Sequence, residues 1–216
     1  MEKFDKEFLE KLEVLKKEQE KLAKQVSVKD SIDFENAERI AGCHNIMFGK
    51  NVISAFVTMG GDEELEKQYF MDRLRFPYVP GFRAYRELPA MMEAFAKLEE
   101  KPELVIVSGN GLTHERLGLA SHFSILADVP CIGIADKLIA GELKDRKIIL
   151  NGKIIGGVIV AKPESRPLYV SPGSGISVET SLEIIKKLIR FPHKLPEPLH
   201  KATRYSKEIM KEIGER

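Results

Sequence analysis

The pattern of apolar positions changes character near residue 37, and each part of the chain predicts a different kind of element. Before that point apolar residues recur every three or four positions among Lys and Glu, which is typical of an amphipathic helix. The stripe consists of Phe4, Phe8, Leu9, Leu12, Leu15, Leu22 and Ala23. We therefore expect a helix over residues 3–26, and residues 1–30 as a whole to pack on the domain that follows.

From residue 37 the apolar runs become short and are separated by turn residues. RIAGCHNIMF and NVISAFVTM flank Gly49-Lys50-Asn51, which predicts antiparallel strands joined by a tight turn. Residues 63–76 fit neither the helical nor the strand period cleanly. We interpret them as a strand because they lead directly into a proline-rich loop.

Helical and apolar segments then alternate. Helices are predicted over 87–98, 116–127, 177–189 and 197–213, and the apolar runs LVIVS, CIGIA and LYVS predict strands. LVIVS is apolar at every position before its serine, as in a parallel strand buried on both faces. Asn151-Gly152 within KIILNGKIIGGVIV predicts a hairpin. The fold class is α/β, a mixed sheet flanked by helices, and we expect residues 1–216 to form one domain.

Composition narrows the function classes. The chain has 216 residues, a formal net charge of +1 and 43% hydrophobic residues, as expected for a soluble globular protein. With so little net charge, any nucleic-acid site must be local. No apolar run is long enough to span a bilayer and no secretory segment begins the chain, so we expect a cytoplasmic protein that does not bind membranes. Cys43 and Cys131 lack metal or disulfide spacing and are interpreted as buried thiols.

The stretch RFPYVPGFRAYRE, residues 75–87, concentrates unusual local chemistry. Pro77, Pro80 and Gly81 stiffen a turn that carries Tyr78, and arginines surround it. An aromatic ring on a stiff loop among arginines suits stacking on a base beside phosphates. The alternative is a rigid surface loop whose aromatic residues cover the core.

Five ordered segments resemble the endonuclease V family. They are FPYVPGFRAYRE, VSGNGLTHERLGLASHF, VPCIGIA, LYVSPG and PHKLPEP. The resemblance implies an RNase H-like fold and cleavage of nucleic acid near deoxyinosine or inosine. It also implies that nucleic acid, DNA or RNA, is the partner.

The same resemblance assigns binding roles. Tyr78 corresponds to the tyrosine that fills the gap left by an extruded base, and His114 to a histidine near the cleaved strand. The residues expected to bind nucleic acid are Tyr78, Pro80, Gly81, Phe82, Arg83, Gly109, Gly118 and Leu119. Small residues among them would let the backbone approach a base edge, as base extrusion requires.

The catalytic positions depart from the family pattern. The family holds Mg²⁺ with two Asp and one Glu, assisted by a Lys and a His. Here only Glu87 remains, with His114 as a possible catalytic partner, and the other positions hold His44, Ser108, Asp136 and Thr203. Mg²⁺ requires hard oxygen ligands and usually one or two carboxylates, so this set is poor for Mg²⁺.

Three hypotheses follow from this contrast. The first is a protein that recognises inosine-containing nucleic acid but has weak or no Mg²⁺-dependent cleavage, a pseudoenzyme that needs no cofactor. The second is an active endonuclease for DNA repair or RNA processing whose altered site, built from Glu87, Asp136 and His44, holds Mg²⁺ or Mn²⁺. The third is a regulatory or structural subunit that binds another protein.

Overall fold

The computed structural model describes residues 5–215, which form one nine-stranded sheet with helices on both faces. The strands are β1 Ile40–Phe48, β2 Asn51–Gly60, β3 Glu63–Arg73, β4 Leu104–Ser108, β5 Cys131–Ala135, β6 Glu142–Lys144, β7 Lys147–Leu150, β8 Lys153–Ile159 and β9 Leu168–Ser174. The helices are α1 Lys6–Ala23, α2 Arg83–Ala96, α3 Leu119–Ala127, α4 Val178–Leu188 and α5 Glu197–Gly214. The predicted α/β class is confirmed.

The sheet order is β3-β2-β1-β4-β5-β9-β8-β7-β6. The first three strands form an antiparallel meander, as their short turns predict, and β3 confirms the strand interpretation of the ambiguous segment. Strands β1, β4 and β5 are parallel neighbours, which brings their carboxyl ends to one edge of the sheet. The hairpin at Asn151-Gly152 is confirmed, since both residues have the positive φ that its tight turn requires.

Two apolar cores explain why β4 is apolar throughout. Val105 and Val107 face α2 and α3 in one core, together with Phe56 and Phe123. Leu104 and Ile106 point to the opposite face, into a core with α4 and α5. Because both faces are covered, alternating residues of β4 must all be apolar, and the strand is held rigidly where it opens into the next loop.

Helix α1 packs on the sheet domain through a narrower stripe than the sequence suggests. Phe8 contacts the ring of Phe76, at 5.7 Å between centroids, whereas Leu9 is 51% exposed. The fully buried member of α1 is a polar residue, Gln19. Lys3 and Phe4 lie outside the described residues.

Three predicted helix boundaries are wrong. Helix α1 ends at Ala23, before residue 26. Helix α2 begins at Arg83 instead of position 87, because Gly81 and the cap residue Phe82 complete the turn before it. Helix α3 begins at Leu119 instead of position 116. Strand β6 was not predicted, since its three residues are exposed and carry no hydrophobic period.

Candidate functional site

The wedge loop, residues 74–82, connects β3 to α2 and displays Tyr78 in solvent. The start of the loop is anchored at Phe76, which is buried between Phe8 and Tyr85. The Phe76 carbonyl also accepts a 3.1 Å hydrogen bond from Arg86. Tyr78 is 70% exposed. An exposed ring on an anchored loop is available for stacking without rearrangement of the fold.

The carbonyl of Gly81 ties this loop to two distant parts of the chain. It accepts hydrogen bonds from Gln19 Nε2 at 3.0 Å and from Arg116 Nη2 at 3.2 Å. Gln19 Oε1 in turn accepts from Arg116 Nε at 2.8 Å. Gly81 has φ +81°, and a Cβ there would lie 2.6 Å from the Arg116 guanidinium, so glycine is required.

A cavity of about 480 Å³, which we call the base pocket, opens beside Tyr78. Of the predicted binding residues, the base pocket is lined by Tyr78, Pro80, Gly81, Phe82, Arg83 and Leu119, with His114 also in its wall. The Arg116 guanidinium stacks over the Phe82 ring at 4.9 Å and closes one side. The wall combines apolar and aromatic side chains with two arginines, Arg83 and Arg116, and one acidic residue, Glu115. Aromatic rings beside cationic groups suit a nucleobase attached to phosphate.

Gly109 and Gly118, the two other predicted binding residues, do not line the base pocket. Gly109 lines the neighbouring cavity described next, and Gly118 caps α3 from behind the base pocket. A Cβ on Gly118 would lie 2.2 Å from the carbonyl oxygens of Asn110 and Gly111. Gly118 therefore permits a close backbone approach that shapes the loop, without itself lining the base pocket or the neighbouring cavity.

The second cavity, which we call the cleft, measures about 370 Å³ and lies at the carboxyl ends of β4 and β5. Its wall includes His44, Arg83, Ser108, Gly109, Asp136 and Thr203. The cleft thus brings together four positions that the resemblance identified with metal binding or catalysis. Arg83 also lines the base pocket, so the two cavities share that side chain.

Glu87 is 3% exposed and already has three strong donors. Arg83, one helical turn earlier, pairs with it in a bidentate manner, Nε to Oε1 at 2.5 Å and Nη2 to Oε2 at 2.9 Å. Asn45 Nδ2 donates to Oε2 at 2.8 Å. Arg83 Nη2 also donates to the Ser108 carbonyl at 3.1 Å, so the guanidinium bridges the carboxylate and the end of β4.

Three other cleft side chains, those of His44, Thr203 and Asp136, contact protein partners. His44 Nδ1 lies 2.8 Å from Ser206 Oγ, and burial, reinforced by Arg83 and Lys207, lowers its pKa to about 4. Thr203 Oγ1 donates to the Leu199 carbonyl at 2.8 Å. Asp136 lies 3.1 Å from Lys194 Nζ, with its side chain 77% exposed. Because its pKa is lowered to about 4, the imidazole of His44 is uncharged at neutral pH.

These residues do not fit a divalent cation of the Mg²⁺ type. Within residues 5–215 no group of three His, Cys, Asp or Glu side chains is arranged to hold a metal ion. A guanidinium occupies the open side of the Glu87 carboxylate, where a cation would have to bind. Glu87, Asp136 and His44 share the neighbourhood of the cleft, but each is engaged separately with protein groups.

His114 lies in the wall of the base pocket and not in the cleft. Its Nδ1 accepts a 3.1 Å hydrogen bond from the backbone N–H of Arg116, which fixes the ring within the loop. Burial, followed by the nearby Arg116 charge, lowers its pKa. A neutral ring in this position is suited to contacting a base or sugar.

Sequence reasoning missed Gln19, Asn45 and Arg116 as parts of the site. Arg83 and Glu87 are four residues apart, and this spacing would have predicted their pairing if α2 had been expected to begin at Arg83. Asn45 follows His44 on β1 and so points to the other face of the sheet, towards α2. Gln19 and Arg116 lack such a signal, since only the tertiary fold brings them to Gly81.

A family model and individual relatives both indicate the endonuclease V family. The family model described as Endonuclease V matches residues 20–204. Endonuclease V of Dictyoglomus turgidum is 35% identical over 206 residues, covering 89% of this chain and 88% of the relative.

Solved structures show the same architecture. The catalytic domain of human endonuclease V superposes with a TM-score of 0.86 and 29% identity, covering 95% of this chain and 98% of the human one. Ciona intestinalis endonuclease V, crystallised with a 24mer DNA containing an inosine, gives a TM-score of 0.86 at 22% identity and covers 94% and 99% of the two chains. The expected RNase H-like fold is confirmed.

Proposed function

Because the chain belongs to the endonuclease V family, whose members are metal-dependent nucleases, we propose that it binds nucleic acid and recognises deaminated bases such as inosine. We further propose that Mg²⁺-dependent phosphodiester cleavage is weak or lost. One observation carries this proposal: the base pocket and Tyr78 are open, whereas the Glu87 carboxylate is occupied by Arg83 and Asn45.

Recognition would use the wedge loop and the base pocket together. Tyr78 would fill the gap in the stack when the altered base leaves it, and the base would enter the cavity bounded by Phe82 and Leu119. The inosine-containing DNA bound by the Ciona protein, which has the same fold, supports this class of ligand. No helix within the described residues combines the length and apolar character needed to cross a membrane.

Cleavage would lack the groups that activate water. A metal-dependent hydrolase uses its cation to stabilise charge on the phosphate and to lower the pKa of a bound water. In the cleft the corresponding positions hold the neutral His44 and Ser108, and the Asp136 carboxylate is paired with Lys194.

The test is a binding and cleavage assay on matched DNA and RNA oligonucleotides, with inosine or guanosine at one position, in Mg²⁺ and in Mn²⁺. We expect tighter binding to the inosine substrate, a loss of that preference in Tyr78→Ala, and no strand cleavage. Tyr69→Ala, at another partly exposed tyrosine, is the control. Cleavage that Glu87→Ala abolishes would support the altered-metal endonuclease instead, and equal affinity for both bases would support a protein-binding role.

A further inference from the structure

The wall of the cleft contains a cationic side chain, Arg83. The Arg83 guanidinium lies against a buried carboxylate at hydrogen-bond distance and against the last carbonyl of β4, at the place where a divalent ion would have to bind Glu87. We propose that Arg83 replaces the metal ion as the ligand of a nucleic-acid phosphate, so that the cleft is a metal-independent phosphodiester site. This inference rests on the proposed function, because it assumes that nucleic acid enters the cleft.

One nitrogen of the Arg83 guanidinium is available to a ligand. Nε and Nη2 are used by Glu87 and Ser108, but among the described residues Nη1 has no hydrogen-bond partner. The Nη1 atom faces Gly109, 3.5 Å from where a Cβ on that residue would lie, and the Arg83 side chain is 42% exposed. A guanidinium held on one edge by a carboxylate and open on the other is already oriented for a phosphate oxygen.

The charges around the cleft favour an anion without help from a metal. Glu87 is neutralised by Arg83, and Asp136 is paired with Lys194. Lys137 lines the cleft and has no ion-pair partner within residues 5–215. A site with three free carboxylates would repel a phosphodiester unless a cation intervened, but this cleft has no unpaired carboxylate among its lining residues.

The position of Arg83 explains how one side chain can serve both cavities. It lines the cleft and the base pocket, and it lies one residue after the cap of α2, at the end of the wedge loop. A phosphate bound at Nη1 would therefore lie next to the base pocket. This is where the backbone of a nucleotide with an extruded base has to pass.

The test measures binding of the full chain to a DNA oligonucleotide with one deoxyinosine, across a salt series, with EDTA or with Mg²⁺. We expect the same affinity in both conditions, within about twofold, because no ion takes part. The double variant R83M/E87Q removes the ion pair without leaving a buried charge, and we expect it to bind about tenfold more weakly. Its salt dependence should fall by about one phosphate contact.

Two further variants make the result specific. R190M/D62N removes an Arg–Asp pair that joins the β2–β3 turn to the second residue after α4, near the amino end of β1 and away from the cleft, and should bind like the wild type. E87Q alone should bind at least as tightly as the wild type, because it removes the competitor for the guanidinium. In a metal-dependent site the same change would weaken binding.

Three outcomes overturn the inference: binding that requires Mg²⁺, weaker binding by E87Q, or wild-type affinity and salt dependence in R83M/E87Q. Any of these can occur while the preference for inosine persists, and the proposed function then stands without Arg83 as phosphate ligand. If the preference for inosine is absent but R83M/E87Q weakens binding to inosine and guanosine oligonucleotides alike, the phosphate site stands and base recognition fails. Absence of binding to any oligonucleotide overturns both.

Discussion

The wedge loop and the cleft lie on either side of the first turn of α2, and different interactions hold their shapes. The loop is fixed by buried aromatic rings and by hydrogen bonds from α1 and from the loop before α3 to the Gly81 carbonyl. The cleft side of α2 depends on a single ion pair, Arg83 with Glu87, and on Asn45. Change in the cleft can therefore leave the recognition surface in place.

This difference bears on how a nuclease fold could lose a metal site. Adjacent carboxylates repel one another unless a cation lies between them, so a site built around an ion depends on it. Here the Arg83 guanidinium is paired with the buried Glu87 carboxylate, and we propose that it takes the place of such an ion. If Arg83 replaces the ion as proposed, the fold has no requirement for a metal ion at this position.

The largest expected effect is a loss of stability from a substitution at Gly118, which would disturb the backbone next to the base pocket. Gly118→Ala would place a Cβ 2.2 Å from two carbonyl oxygens, which cannot move without displacing the loop before α3. We expect a loss of about 3 kcal/mol in the free energy of unfolding. Urea denaturation monitored by circular dichroism measures it.

Gly109→Ala is the matched control for that change. Its Cβ would meet the Leu119 side chain at 3.1 Å, and a side chain can adjust more easily than a carbonyl. We expect a loss of about 1 kcal/mol. Equal losses in the two variants would show that backbone contact at Gly118 does not shape this side of the molecule.

A smaller effect is expected where α1 holds the wedge loop. Gln19→Leu removes the donor to Gly81 and leaves the partly buried Arg116 Nε without its acceptor, so we expect a loss of about 2 kcal/mol in stability. The preference for inosine should also fall, whereas binding should remain independent of metal. Glu20→Leu, on the exposed side of α1, is the control. Loss of metal independence in Gln19→Leu would show that the two regions are coupled.

The sequence predicts the sheet better than the site, for physical reasons visible in particular residues. β4 and the hairpin at Asn151-Gly152 are encoded locally, by an apolar run and by a turn that requires positive φ. The start of α2 was missed because Pro80 and Gly81 extend the loop pattern up to the helix. The contact of Gln19 with Gly81 joins residues 62 positions apart, and local pattern cannot encode it.

The family resemblance identified the candidate positions but did not describe their contacts. The resemblance led to Glu87, His44 and Ser108, all of which lie in or beside the cleft. It treated Arg83 as a nucleic-acid contact, whereas the structure also makes it the partner of Glu87. The burial of Glu87 depends on the packing of α2 against the sheet, which a motif does not describe.

The smallest expected effect concerns the pH dependence of stability, which we compare between the wedge-loop side of α2 and the cleft. His122, on α3, packs edge-on against the Tyr85 ring at 5.4 Å on the recognition side, and burial lowers its pKa to about 4 from an ordinary 6.5. Between these values the unfolded chain binds a proton that the folded chain does not, so stability falls as the pH decreases through this window. His44 contributes in the same direction on the cleft side.

His122→Phe keeps an aromatic ring against Tyr85 but cannot be protonated, so the contributions of the other histidines whose pKa is lowered, His44, His114 and His200, should remain. We expect the stability lost between about pH 7 and pH 5.5 to be smaller than in the wild type by about 1 kcal/mol. Urea denaturation at the two pH values, with both proteins in the same buffers, measures this difference. An unchanged loss in the variant would assign the acid sensitivity to other histidines whose pKa is lowered, among them His44 in the cleft and His114 in the base pocket.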